Sequence, residues 1–251
     1  MRRVTETTFV RQVLRAELPA IVCFGARACP GLSALRPALR RIEATYAGRL
    51  LVATVQLDDA TYLAEQYGVA ASPTLMVFAH GERQSQVVGF IADGLLELLA
   101  EDVAQGIVAG DGFWSPVEER FEDAVLLPLL RGWGLSARRQ VTCALPGGNA
   151  AQRGRIDLLV YDDDARPPIA LIESKRQIAD AFALRQAAAQ GFAYARSLGL
   201  ATFFVAAPRG LWAYRSDAQR ATLVEHITSL ELHAQPARAR GLLLRLVASA
   251  S

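Results

Sequence analysis

The stretch GRIDLLVYDDDARPPIALIESKR, residues 154–176, constrains this chain most. It reads as two short apolar strands joined by a Pro/Asp turn, because each run is rich in aliphatic residues and the break between them holds three acids and two prolines. Side chains alternate faces along a strand, so Ile169, Leu171, Glu173 and Lys175 share one face, and Glu173 and Lys175 project together. Asp157 lies in the first strand of the pair. Two carboxylates with a lysine beside them suit a hard cation, Mg²⁺ or Mn²⁺, at a phosphodiester. Asp162, Asp163 and Asp164 read instead as a solvated hairpin turn before Pro167.

Composition sharpens that reading at one position. Of 27 basic side chains, 26 are Arg and one is Lys, and the lone Lys is Lys175. Arg is a broad fork of fixed charge, whereas Lys is a compact ammonium that a neighbouring metal-bound water can tune. The other reading of Lys175 is a surface lysine at a strand end. Net charge is +2, so no global field marks a nucleic-acid partner. Residues 1–110 carry 10 basic and 11 acidic side chains, and residues 111–251 carry 17 and 14, which makes the second part basic by three.

Three cysteines (Cys23, Cys29, Cys143) are too few for a disulfide framework and suit a reducing compartment. The N-terminus shows no signal-peptide pattern and no apolar run is long enough to span a bilayer, so the expectation is a cytoplasmic protein with no membrane partner.

Residues 1–110 alternate helix and strand. Helical spacing covers 5–16, a buried-strand run 20–24, and a long helix containing Pro37 covers 28–46. A strand over 50–57 and a short helix over 60–67 follow. Strands 74–79 and 84–88 flank a turn at His80 to Glu82, and a last amphipathic helix covers 92–107. This order predicts an α/β layer fold around a mixed sheet. The segments IVCF, GARACPGL, VATVQLDDATYLAEQYGV, VAASPTLMVF and HGE with VVGF resemble the thioredoxin family over residues 5–105. The resemblance implies that Cys29 occupies the place of the nucleophilic cysteine and that Ser72 and Pro73 form a cis-proline loop bordering it. Leu32 stands where the resolving cysteine belongs, and Cys23 replaces the family's buried acid. A lone thiol cannot complete an intramolecular dithiol exchange. The implied roles are therefore a protein-docking module, or a one-thiol redox sensor using Cys29 beside Pro73.

A glycine-containing break at 109–113 marks the expected boundary, giving domains 1–110 and 111–251. Ser115, Pro116 and Glu118 read as an N-cap, a first-turn proline and a capping-box acid for a helix reaching about Arg131, with Val117, Phe121, Val125 and Leu129 on its buried stripe. Glu118 and Glu122 on that helix are candidates to reach a sheet site. After ESKR, a helix over 180–198 places Gln186, Gln190 and Tyr194 on one face, then ATFFVAAP and GLWAYRS form a strand pair. The tail from Ala218 has no clear periodicity.

The segments GRIDLLVYD, ALIESK, QGFAY with ARSLGL, and FFVAAPRGLWAYR resemble the PD-(D/E)XK nuclease superfamily, and within it the N-terminal nuclease domain of type I restriction subunits. The resemblance implies a restriction-endonuclease-like α/β domain with a central mixed sheet. In it, Asp157 and Glu173 would bind Mg²⁺ or Mn²⁺ and Lys175 would orient or deprotonate the attacking water. Gln190 and Tyr194 would line the site and contact the DNA backbone, with Arg155 and Arg176 as further DNA contacts. The expectation is a metal-dependent DNA endonuclease with a thioredoxin-like docking or sensing module, in bacterial defence. The alternatives are a non-catalytic nucleic-acid or protein-binding protein on the same fold and the one-thiol sensor. A protein partner at the first domain and a homodimer of the chain both stay open.

Overall fold

In a computed structural model that describes residues 1–107, 112–144 and 153–248, the chain forms two compact units, Met1–Pro116 and Val117–Ser251. The glycine turn PGGN expected near 146–149 and most of the expected break at 109–113 lie outside the described residues.

The first unit follows the order β1 (Arg2–Val4), α1 (Glu6–Phe9), a π-wound turn (Val10–Leu14), β2 (Ala20–Gly25), α2 (Pro30–Thr45), β3 (Leu51–Gln56), α3 (Thr61–Gln66), β4 (Thr74–Ala79), β5 (Glu82–Val88), α4 (Asp93–Ala104) and β6 (Gly112–Phe113). Its sheet has the order β1-β3-β2-β4-β5-β6. Strand β2, AIVCFG, is buried along its whole length, as a central strand covered on both faces must be. It runs parallel to β3 and antiparallel to β4, which makes the sheet mixed. On one face Phe9, Phe24 and Phe78 join a single apolar cluster. Phe9 meets Phe78 edge-on at 5.4 Å between ring centroids, and Tyr67 meets Phe78 edge-on at 5.2 Å. The β4–β5 turn needs positive φ at both central residues, and His80 (55°) with Gly81 (82°) supplies it.

The second unit runs α5 (Glu118–Phe121), a π-wound turn (Glu122–Leu126), α6 (Leu127–Gly132), β7 (Ser136–Ala144), β8 (Arg153–Tyr161), β9 (Ala170–Ser174), α7 (Ala181–Leu198), β10 (Thr202–Ala207), β11 (Gly210–Ser216), β12 (Ala221–Thr228), α8 (Ser229–Ala234) and α9 (Pro236–Ala248). Its sheet has the order β12-β11-β10-β9-β8-β7. All neighbours pair antiparallel except β9 with β10, which are parallel and joined through α7. Asp180 caps α7 by accepting hydrogen bonds from the backbone N–H groups of Phe182 and Ala183, each at 2.8 Å, and Gly199 ends it in the left-handed region. Leu171, Ala187, Tyr194, Ala195, Phe203 and Val205 then share one buried cluster, which seats α7 on the sheet. Gly191 makes that seating close, since a Cβ there would lie 2.7 Å from the Phe203 ring.

The helix before β7 differs from its sequence expectation. It begins at Glu118 with Val117 as the capping residue and no side-chain cap, so Ser115 and Pro116 precede the helix rather than open it. Val117 is exposed, and the buried positions are Phe121, Glu122, Leu126 and Leu130. The π-wound turn inserts extra residues per turn, so a stripe spaced for an α-helix fails beyond it. Among the described residues, no helix is long and apolar enough to cross a membrane.

Candidate functional site

The β8–β9 ladder pairs Val160 with Ala170, Leu159 with Leu171 and Leu158 with Ile172, and there it stops. The next two residues in that register are Asp157 and Glu173. Two acids thus face one another where the strands part. The backbone N–H of Ser174 donates to Asp157 Oδ2 at 2.9 Å, which fixes the Asp157 carboxylate across the gap. Lys175 Nζ donates to Glu173 Oε1 at 2.5 Å and lies 4.0 Å from Asp157 Oδ2. The lone lysine therefore sits on both acids.

Glu173 is fully buried, with its side chain 0% exposed. Its second oxygen, Oε2, is buried and receives no hydrogen bond. Burial, then the charge of Asp157, pushes the Glu173 carboxyl up to about 8 against the opposing pull of Lys175, and a protonated Glu173 gains further by donating to Asp157. Burial thus favours the protonated form of Glu173 at neutral pH. Burial alone would lower the Lys175 ammonium, but its bond to Glu173 and the charges of Glu173, Asp157 and Glu118 outweigh that and raise it. Lys175 is thus kept as a cation, suited to charge stabilisation and to orienting a ligand; taking up a proton would require these acids to be neutralised first.

A second layer holds the first. Glu122, buried at the π-wound turn, accepts from Ser174 Oγ at 2.5 Å through Oε1 and from Arg139 Nε at 3.1 Å through Oε2. Arg139 also reaches Asp123 at 2.8 Å. Burial raises the Glu122 carboxyl, with Asp157 adding to the rise and Ser174 and Arg139 opposing it. Glu118 accepts from the backbone N–H of Arg176 at 3.3 Å. The helix acid that packs into the site is therefore Glu122, while Glu118 approaches from the β9 exit.

The remaining expected residues are placed differently. Gln190 is exposed and donates to Tyr194 Oη at 3.3 Å on its own helix, and among the described residues no hydrogen bond or ion pair joins it to Asp157, Glu173 or Lys175. Tyr194 is 6% exposed, packed so tightly over β8 that a Cβ on Gly154 would lie 2.3 Å from its ring. It supports the strand that carries Asp157 rather than presenting a surface. Arg155 and Arg176 are exposed. Ser174 and Arg139 are the participants that sequence reasoning missed. Ser174 stands between the two expected residues of ESK, but Arg139 carries no signal among 26 arginines.

The first unit offers a different chemistry. Cys29 precedes α2 as its capping residue, followed by Pro30 in the first turn. It is half-buried, whereas Cys23 and Cys143 are buried. The expected cis peptide is present at Ser72–Pro73. Ser72 Oγ accepts from the backbone N–H of Ala26 at 2.9 Å, and a Cβ on Gly31 would lie 2.9 Å from Pro73 Cδ, so this loop borders the cysteine turn on both sides. Leu32 is buried and fills the space over Gly25, where a Cβ would meet it at 2.7 Å. Burial, with Cys29 adding, pushes the Cys23 thiol up to about 12.

A family model described as thioredoxin matches residues 1–101. Thioredoxin 1 of Nostoc sp. is 35% identical over 89 residues, covering 36% of this chain and 83% of that protein. The thioredoxin of Porphyra purpurea is 33% identical over 95 residues, covering 38% of this chain and 89% of that protein. The chain belongs to the thioredoxin family. The matched residues all lie in the first unit, so the family relation is carried by that domain. A thioredoxin domain points to thiol chemistry, and position 32 of this chain is Leu rather than a second thiol.

Proposed function

We propose that the second domain is a divalent-metal-dependent endonuclease acting on DNA, with the thioredoxin domain as its docking or sensing module. The buried, unpaired Oε2 of Glu173 beside Asp157 carries this reading. A buried carboxylate oxygen without a donor is costly, and a cation would satisfy it. Among the described residues no three His, Cys, Asp or Glu side chains form a metal cluster. Two carboxylates nevertheless fit Mg²⁺, which keeps several waters and is commonly held by one or two carboxylates together with substrate phosphates. Asp157 and Glu173 would hold the ion. When bound, such an ion polarises a phosphoryl oxygen and acidifies a coordinated water.

The chain's own residues then act around the phosphate. Lys175, kept cationic by its acidic neighbours, neutralises charge that develops on the phosphoryl oxygens. The Ser174 N–H holds Asp157 in one orientation, and Glu122 with Arg139 holds Ser174. Plasmid incubated with Mg²⁺ or Mn²⁺ tests the proposal: the wild type should nick or linearise it, and Lys175→Ala should lose that activity. Equal cleavage by both proteins would refute it. Parallel single-stranded DNA and RNA substrates define the substrate class.

The half-buried Cys29 against the Pro73 loop favours a second reading, a one-thiol sensor in the first domain. Oxidised glutathione should add one glutathionyl group to the folded protein and none to Cys29→Ser, read by mass spectrometry. A Cys29 that stays unmodified at neutral pH removes this reading.

A further inference from the structure

The thioredoxin domain holds a polar cleft of about 290 Å³ on the α2 side of β3, lined by Arg3, Leu32, Arg36, Arg40, Thr54 and Gln56 among others. The charge on its walls is unevenly compensated. Arg3 pairs with Asp59 at 2.6 Å, and Arg27, outside the cleft, shares the same carboxylate at 2.7 Å. Arg41, next along α2, pairs with Asp93 at 2.7 Å. Arg36 and Arg40 have no acidic partner within ion-pair distance among the described residues. They stand four residues apart on one helix, where like charges repel. Thr54, which pairs with Arg3 across the β1–β3 ladder, adds a hydroxyl to the same wall. Leu32, itself buried, closes the base of the cleft.

We propose that this cleft binds a phosphate monoester, with Arg36 and Arg40 as the principal contacts. The guanidinium fork is matched to phosphate oxygens, and an anion between two unpaired guanidiniums relieves their repulsion. A phosphate with a small organic group suits the volume. The site lies wholly in the first unit and does not depend on the nuclease reading.

Isothermal titration of the full chain tests it, in EDTA, at constant ionic strength and in a Lys175→Ala background that disables the phosphate-facing lysine of the second domain. Inorganic phosphate and a 5′-nucleoside monophosphate serve as probes. One equivalent should bind, and the double variant Arg36→Gln/Arg40→Gln should weaken binding by about tenfold or more, as expected for loss of charge-assisted hydrogen bonds. Tighter binding of the nucleotide identifies an organic phosphate as the ligand, and equal binding identifies the phosphate group alone; both support the site. No binding of either probe, or affinity unchanged in the double variant with its circular dichroism unchanged, overturns it.

Discussion

Replacing Glu173 by Gln should abolish most of the pH dependence of stability in the second domain. The sign follows from proton counting. Burial and Asp157 hold the folded-state carboxyl at about 8, against an ordinary value of 4.5 that the unfolded chain recovers. Between those values the folded protein binds the extra proton, so stability falls as pH rises through the window. At about 1.36 kcal/mol per power of ten, the full fall is roughly 5 kcal/mol by pH 8 and above. Lys175 does not contribute in this window, because a raised ammonium loses its stabilisation only at alkaline pH. Glu122, also raised, contributes a smaller fall of the same sign and persists in the variant. Urea titrations at pH 5 to 8.5 in EDTA measure this, in a Trp114→Phe background so that Trp133 and Trp212 report the second unit alone. The wild type should lose several kcal/mol across the range and Glu173→Gln far less. Mg²⁺ should raise wild-type stability most at the alkaline end, where the carboxylate is free to take the ion. Parallel pH profiles for the two proteins would refute the claim that Glu173 is a buried acid whose carboxyl is raised by burial.

Removing the guanidinium that holds Glu122 should disturb the site without touching it. Arg139→Ala leaves a buried carboxylate with only Ser174 as a partner, and should cost about 1–3 kcal/mol in a denaturant titration and lower cleavage at unchanged metal requirement. Gly154→Ala places a Cβ 2.3 Å from the Tyr194 ring, so overpacking should destabilise the second unit by about 1–3 kcal/mol, and Tyr194→Leu in the same chain should recover part of the loss. Thiol titration of the native protein should find one accessible cysteine, absent in Cys29→Ser, with Cys23 and Cys143 reacting only after denaturation.

The parts of this chain that were legible in its sequence are those where local pattern and tertiary environment agree. Both faces of β2 are buried, and AIVCF is apolar throughout; β8 and β9 have turn residues between them, and their register alone brings Asp157 opposite Glu173. Where neighbours decide, the sequence is silent. Strand β1 has three residues, two of them arginine, and exists because β3 offers it a parallel partner. Strand β12 is largely exposed and has no alternation to read, yet pairing with β11 makes it a strand. The π-wound turn at Glu122–Leu126 matters most for the site, because it is invisible to a 3.6-residue period and decides which acid is buried. An α-helical wheel favours Glu118, whereas the observed winding delivers Glu122 to Ser174 and leaves Glu118 to meet the chain after Lys175. The same winding joins two otherwise separate facts. Ser174 carries both Asp157, through its N–H, and Glu122, through its hydroxyl, so the residue between Glu173 and Lys175 is the point at which helix and sheet fix each other. A site built this way requires its acid, its lysine and its helix to be correct together.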